Sequence, residues 1–196
     1  MTHFVQTLIS GLSLGSIYAL IALGYTMVYG IAKMLNFAHG DIIMVGAYAV
    51  IVSVFSLGMP PVVAILISVA VCALLGMLIE RLAYKPLRHA APLTVLITAI
   101  GVSYLLQNVA LLIFGSEQKA FPTLFEIPSL HFGEVIVDGI TLMTLAVTAV
   151  IMIGLTLFIN KTRMGKAMRA VSEDKEAAGL MGISTNHTIT VTFAIG

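Results

Sequence analysis

Phe4 to Tyr29 contains no Asp, Glu, Lys or Arg, and this run constrains the fold more than any other feature. As a helix it would be close to 40 Å long at about 1.5 Å per residue, more than the ~30 Å of a bilayer's hydrocarbon. It is apolar on every side, so a water-soluble fold could not cover it. Three more stretches reach spanning length: Val62–Ile79, Leu93–Phe114 and Ile140–Ile159. Ile42–Leu57 falls slightly short, and a sixth run from Thr188 to Gly196 is too short to cross. The expected fold is an all-α, polytopic transmembrane helical bundle with about five complete spans and the start of a sixth. Residues 1–196 are expected to form one transmembrane domain that is incomplete at its C-terminus, because the sequence stops within a helix-forming run.

Composition agrees. Hydrophobic residues make up 59% and charged residues 10%, against about 25% charged in ordinary soluble domains. The net charge of +1 offers no basic face for nucleic acid. The lone Cys72 lies inside an apolar run, which excludes a disulfide framework and a cysteine metal cluster. Met1–Ser10 has no Lys or Arg and the apolar run extends far beyond a signal h-region, so the first span is expected to be retained.

The loops segregate by charge. Arg81, Lys85 and Arg88 follow the third span without an acid, and Lys161, Arg163, Lys166 and Arg169 follow the fifth. The intervening Gly115–Gly139 carries Glu117, Glu126, Glu134 and Asp138 against Lys119. The positive-inside rule places both basic loops in the cytoplasm and the N-terminus outside.

"MLNFAHGDIIMVGAY", Met34 to Tyr48, concentrates Asn36, His39 and Asp41 behind Lys33. It reads in two ways. As a cytoplasmic turn, Asn36 would cap a helix, with His39 and Asp41 in water near its start. Alternatively it is a break within the membrane, where polar groups persist only against protein or a water-filled cavity. Short, interrupted helices are where transporters build their sites. Asn36, His39 and Asp41 are therefore candidates for a solute path, as are Gln107 and Asn108 inside the fourth span. Gly11 and Gly15 form a small-xxx-small pair suited to close helix packing. The histidines are dispersed, with no pairing suited to a metal.

Asn160 to His187 reads as a loop with a short helix at its centre. Ser172 is expected to cap it, Glu173 and Asp174 to favour its N-terminal dipole, and Gly182 to end it in the left-handed conformation. Ala177, Ala178 and Met181 would form a small apolar face for a partner's groove. A helix lying on anionic lipid is the alternative, favoured by the preceding cations.

Glu176-Ala177-Ala178 followed by Gly182 resembles the loop by which bacterial ABC importer permeases dock on their ATPases, although Thr192-Phe193-Ala194-Ile195 departs from that pattern's Ile-x-Leu-Pro ending. "GLSLGSIYALIALGYTMVYGIAKMLNFAHGDIIMVGAY" (Gly11–Tyr48), "ERLAYKPLR" (Glu80–Arg88) and "TRMGKAMRAVSEDKEAAGLMGI" (Thr162–Ile183) resemble, in the same order, branched-chain amino acid permeases of the LivH type. The resemblance covers essentially the whole chain. It implies a permease subunit of the bacterial inner membrane, with residues 161–187 as the cytoplasmic coupling loop and Arg169, Ser172, Glu173, Asp174, Glu176, Ala177, Ala178 and Gly182 as its ATPase-facing residues. It further implies a related second permease, two cytoplasmic ATPase subunits and a periplasmic amino-acid-binding protein. The chain itself is expected to be no enzyme, to have no catalytic residue, and to bind no cofactor or metal. No phosphate-cradling Gly-rich loop is present, so ATP is expected on the partner subunits.

A urea or other small-solute permease of the same family, or a channel-like pore, remains open at this point. A membrane enzyme has only the dispersed histidines to offer.

Overall fold

The computed structural model describes residues 2–88, 90–121, 124–125, 127–132 and 135–196. Each expected apolar stretch is a helix. α1 is Thr2–Ala32, α2 His39–Phe55, α3 Pro61–Ile79, α4 Pro92–Phe114 and α5 Gly139–Lys161. They are followed by α6 Arg163–Glu173, α7 Lys175–Leu180 and α8 Thr185–Ile195. By length and apolarity four can cross a membrane, from Phe4, Pro61, Pro92 and Gly139, while α2 is shorter. The helical architecture and the short second span thus agree with the sequence. Proline starts α3 and α4, where its missing N–H has no intrahelical partner to lose.

The acidic connection adds one feature that was not expected. Leu130–Phe132 (β1) pairs antiparallel with Val135–Val137 (β2), Leu130 opposite Val137, where Val-Ile-Val supplies β-branched residues. Glu126 and Glu134, two acids in the orientation argument, lie outside the described residues, as does His89.

The chain divides into two compact units, Met1–Gly24 with Thr123–Lys166, and Tyr25–Pro122 with Ala167–Gly196. In the first, Thr162 turns the chain from α5 into α6: its Oγ1 accepts from Gly165 N–H at 3.0 Å, an N-cap bond. Large apolar side chains such as Leu8, Leu12 and Val150 are mostly exposed, a surface suited to lipid or further helices.

In the second unit α2 lies antiparallel on α3 at a contact built from small residues. A Cβ on Gly46 would stand 2.6 Å from Cys72 Sγ and 3.2 Å from Ser68 Oγ. Ser68 Oγ donates to the Gly46 carbonyl at 2.8 Å, and Cys72 Sγ to that of Ile42 at 3.5 Å. α8 packs on the other half of α3, where a Cβ on Gly76 would collide with the Phe193 carbonyl. A π turn, Glu80–Tyr84, and a 3-10 turn, Lys85–Leu87, carry α3 on. Gly11 and Gly15, expected to mediate packing, have no neighbour within 4 Å of a Cβ position; the close approaches between helices in the second unit fall at Gly46 and Gly76.

Candidate functional site

α1 stops because Lys33 takes a left-handed conformation, φ 56°, and its N–H bonds the Tyr29 carbonyl at 2.8 Å. A side chain in that region costs about 1–2 kcal/mol, so the surrounding packing must hold it. Residues 33–36 have no regular structure, and α2 begins at His39.

Two particulars of the cytoplasmic-turn reading, the Asn36 cap and the exposed His39 and Asp41, differ from the structure. Ala38, not Asn36, occupies the N-cap position, and it makes no side-chain cap. Asn36, His39 and Asp41 are not in water but 3%, 8% and 8% exposed. Asn36 Oδ1 instead accepts from the Tyr84 hydroxyl at 3.2 Å. His39 packs edge-on against Tyr25 with ring centroids 6.0 Å apart.

Asp41 faces α4. Its Oδ2 accepts from Ser103 Oγ, and its Oδ1 from Gln107 Nε2 at 3.0 Å. Gln107 Nε2 also reaches Ser103 Oγ at 3.2 Å. Ser103 and Gln107, four residues apart, share one face of the helix. Two rulers give the depth of this network. Ser103 is the twelfth residue of the 23-residue α4, about 16 Å from its start at ~1.5 Å per residue. Cys72, which contacts the start of α2 at Ile42, is likewise the twelfth residue of α3. α2 therefore begins near the middle of its two long neighbours, and the chain enters that depth as irregular backbone.

Asp41 is buried whereas Gln107 is exposed on the surface of this unit, so the network joins a buried carboxylate to an open face. Asn108, the neighbouring candidate, does not join it; its Nδ2 bonds the Tyr104 carbonyl of its own helix at 2.7 Å. On the α3 side, a cavity of about 260 Å³ is bordered by Asn36, His39, Ser68 and Cys72 amid apolar wall.

The loop helix is shifted from its expected place. Ser172 donates to the Arg169 carbonyl at 2.7 Å within α6, and Glu173 ends that helix. Asp174 is the actual cap: its Oδ1 accepts from Glu176 N–H at 2.8 Å and Ala177 N–H at 3.0 Å. Gly182, at φ +81°, is the expected left-handed terminator. Ala178 turns inward, leaving Leu180 and Met181 90% and 82% exposed beside exposed Glu176 and Ala177. Of the expected Ala177–Ala178–Met181 face only Ala178 is withdrawn, and Leu180 adds to the exposed apolar tip. Lys175, the first residue of α7, donates to the Ala32 carbonyl at 2.7 Å. A cation there satisfies an open carbonyl and complements the dipole at the end of α1.

Comparison with known proteins identifies the family. A family model described as "Branched-chain amino acid transport system / permease component" matches residues 7–196. The high-affinity branched-chain amino acid transport system permease protein BraD of Pseudomonas aeruginosa is 43% identical, over 99% of this chain and 67% of its own. The corresponding LivH of Escherichia coli K12 is 41% identical over the same shares. A probable branched-chain amino acid transport permease protein LivH of Methanocaldococcus jannaschii is 30% identical, over 88% of this chain and 56% of its own. The chain belongs to this permease family. No solved structure matches it.

The permease uses several residues that the sequence did not single out. Ser103 is Asp41's second donor; it stands four residues before Gln107, a spacing that could have revealed it. Tyr84 is fully buried between Asn36 and Phe193, its ring 5.3 Å from the latter. Glu80, 1% exposed, accepts from Arg88 and from Thr190 Oγ1 at 2.8 Å, while Arg88 also donates to Asn186. Arg88 and Glu80 form a salt bridge, and their bonds to Asn186 and Thr190 tie the π turn to α8. Among the described residues no group of three His, Cys, Asp or Glu could hold a metal.

Proposed function

We propose that this permease is the membrane-spanning subunit of an ABC importer for branched-chain amino acids, and that the solute passes along the face bearing Asn36, Asp41, Ser103 and Gln107, with His39 beside them. The observation carrying the reading is the start of α2 beside the middle of α4, where buried Asp41 is hydrogen-bonded to an exposed amide. An exposed amide well inside an apolar helix is unfavourable against lipid, so that face is suited to protein or to a wetted path. A second permease copy or relative would close it. A zwitterion with an apolar side chain needs a few polar contacts set in apolar wall, and the Asn36–His39 cavity offers that combination. The names of the relatives supply the substrate class.

Energy would come from ATPase subunits docked on residues 161–187, with Leu180 and Met181 as the apolar tip and exposed Arg169, Glu173 and Glu176 as further contacts. A periplasmic binding protein would deliver the solute at the opposite face. This orientation places Lys85 and Lys166 inside and the N-terminus outside. In intact cells, cysteines at 85 and 166 should then resist an impermeant reagent that labels one at 126.

The substrate is tested with the full-length permease, its partners and binding protein in proteoliposomes. ATP-dependent uptake of leucine, with none of urea, is expected. Urea uptake without leucine uptake would overturn the assignment.

A further inference from the structure

A second cleft, of about 500 Å³, opens where Ala32 ends α1, Leu87 ends the continuation of α3 and Pro92 starts α4. Its wall is apolar, with Tyr29, Leu93 and Leu96 among its lining, yet Lys33, Arg88 and Lys175 all border it. Its described lining contains no Asp or Glu. Arg88 is paired with buried Glu80, which leaves Lys33 and Lys175 as net positive charge that repels the ammonium of a zwitterionic amino acid. They suit an anion attached to an apolar tail.

We propose that this cleft binds the headgroup of an anionic phospholipid, its phosphate between Lys33 and Lys175 and its acyl chain along Leu93 and Leu96. The location fits, because the ends of three long apolar helices mark the level where headgroups lie. Basic pockets between membrane helices on the cytoplasmic side are the expected form of such sites. Two further observations are compatible with an anion there. Burial, followed by the charges of Arg88 and Lys33, holds the Lys175 amine below the usual lysine range. In addition, Arg88 Nε is buried without a hydrogen-bond partner among the described residues. The site would also make the lipid a neighbour of the Lys175–Ala32 bond, so that anionic lipid stabilises the joint between α7 and the end of α1.

The test uses the full-length permease assembled with its partners in nanodiscs. Phosphatidylglycerol and phosphatidylcholine analogues, each carrying a photoreactive group on one acyl chain, are crosslinked and the labelled peptides mapped. Phosphatidylglycerol should label the segment containing Leu93 and Leu96, and phosphatidylcholine should label it weakly. At about 1 kcal/mol per cation, Lys33→Gln with Lys175→Gln should weaken the phosphatidylglycerol signal by a factor of about 30, whereas Lys161→Gln with Lys166→Gln should leave it unchanged. Equal labelling by both lipids would overturn the proposal, as the groove would then be merely apolar. Undiminished labelling in the Lys33/Lys175 variant would also overturn it. Full competition by millimolar inorganic phosphate would do so too, since the site would then serve a free anion. If that variant fails to assemble, the difference between the two lipids on the unaltered protein decides.

Discussion

Replacing Gly76 with alanine should damage both the fold and the transport site. A Cβ there would overlap the Phe193 carbonyl oxygen, a backbone atom that no rotamer change can remove. To restore ordinary contact, α8 must withdraw from α3 by something on the order of 1 Å. Overpacking of this kind costs about 1–3 kcal/mol. The displacement would not stay local. Phe193 packs on Tyr84, whose hydroxyl holds Asn36 at 3.2 Å, and Thr190 on the same helix bonds buried Glu80. The assay is the unfolding midpoint of the full-length permease in mixed micelles, read alongside leucine uptake. Gly154→Ala is the control: nothing lies within 4 Å of its Cβ position, so alanine's better helix propensity should leave stability equal or higher by up to about 1 kcal/mol. If Gly76→Ala and Gly154→Ala unfold alike, the α3–α8 contact is not as described.

Gln107→Leu should impair uptake and destabilise the protein by about 0.6–1.7 kcal/mol, the range for hydrogen bonds between membrane helices. Asn108→Leu should change either property much less, because Asn108 bonds its own helix; uptake assays on the pair check this. Asp174→Ala should weaken α7 by about 1 kcal/mol through loss of its cap. Gly182→Pro forbids the left-handed terminator and should uncouple ATP hydrolysis from uptake without preventing membrane insertion. Lys175 loses its proton more readily than an ordinary lysine, first because of burial and then because of Arg88 and Lys33. The folded state thus carries a penalty for the protonated amine, present at low pH and relieved as pH rises through the lowered pKa toward about 10.5. Isotope-labelled methylation of Lys175 followed by NMR should give a midpoint below 10.5, and a midpoint at or above it would contradict the geometry.

Elements governed by local chemistry were legible in the sequence. Pro61 and Pro92 start helices, Gly182 ends one, and uncharged runs of spanning length became the long helices. The short second span and its polar entrance were legible for the same reason, since length and hydropathy are properties of contiguous residues. Non-local features were not. That Lys33 rather than a glycine would take a left-handed conformation depends on packing around it. Asp41's partners lie more than sixty residues away, and nothing local to Asp41 names them. Ser172 and Asp174 both suit an N-cap, and only the continuation of α6 through Glu173 decides between them. Gly11 and Gly15 carry the small-residue spacing, yet α2 and α8 meet α3 at Gly46 and Gly76, because spacing alone does not say which face meets a neighbour.

The most direct test of the account is leucine uptake by proteoliposomes holding the full-length permease with its ATPase and binding-protein partners, comparing Asn36→Ala and Asp41→Ala with the unaltered protein. Both variants are expected to express and to bind the ATPase normally while transporting leucine far more slowly. Normal leucine uptake by both would show that the break between α1 and α2 is only a structural joint and that the solute takes another route.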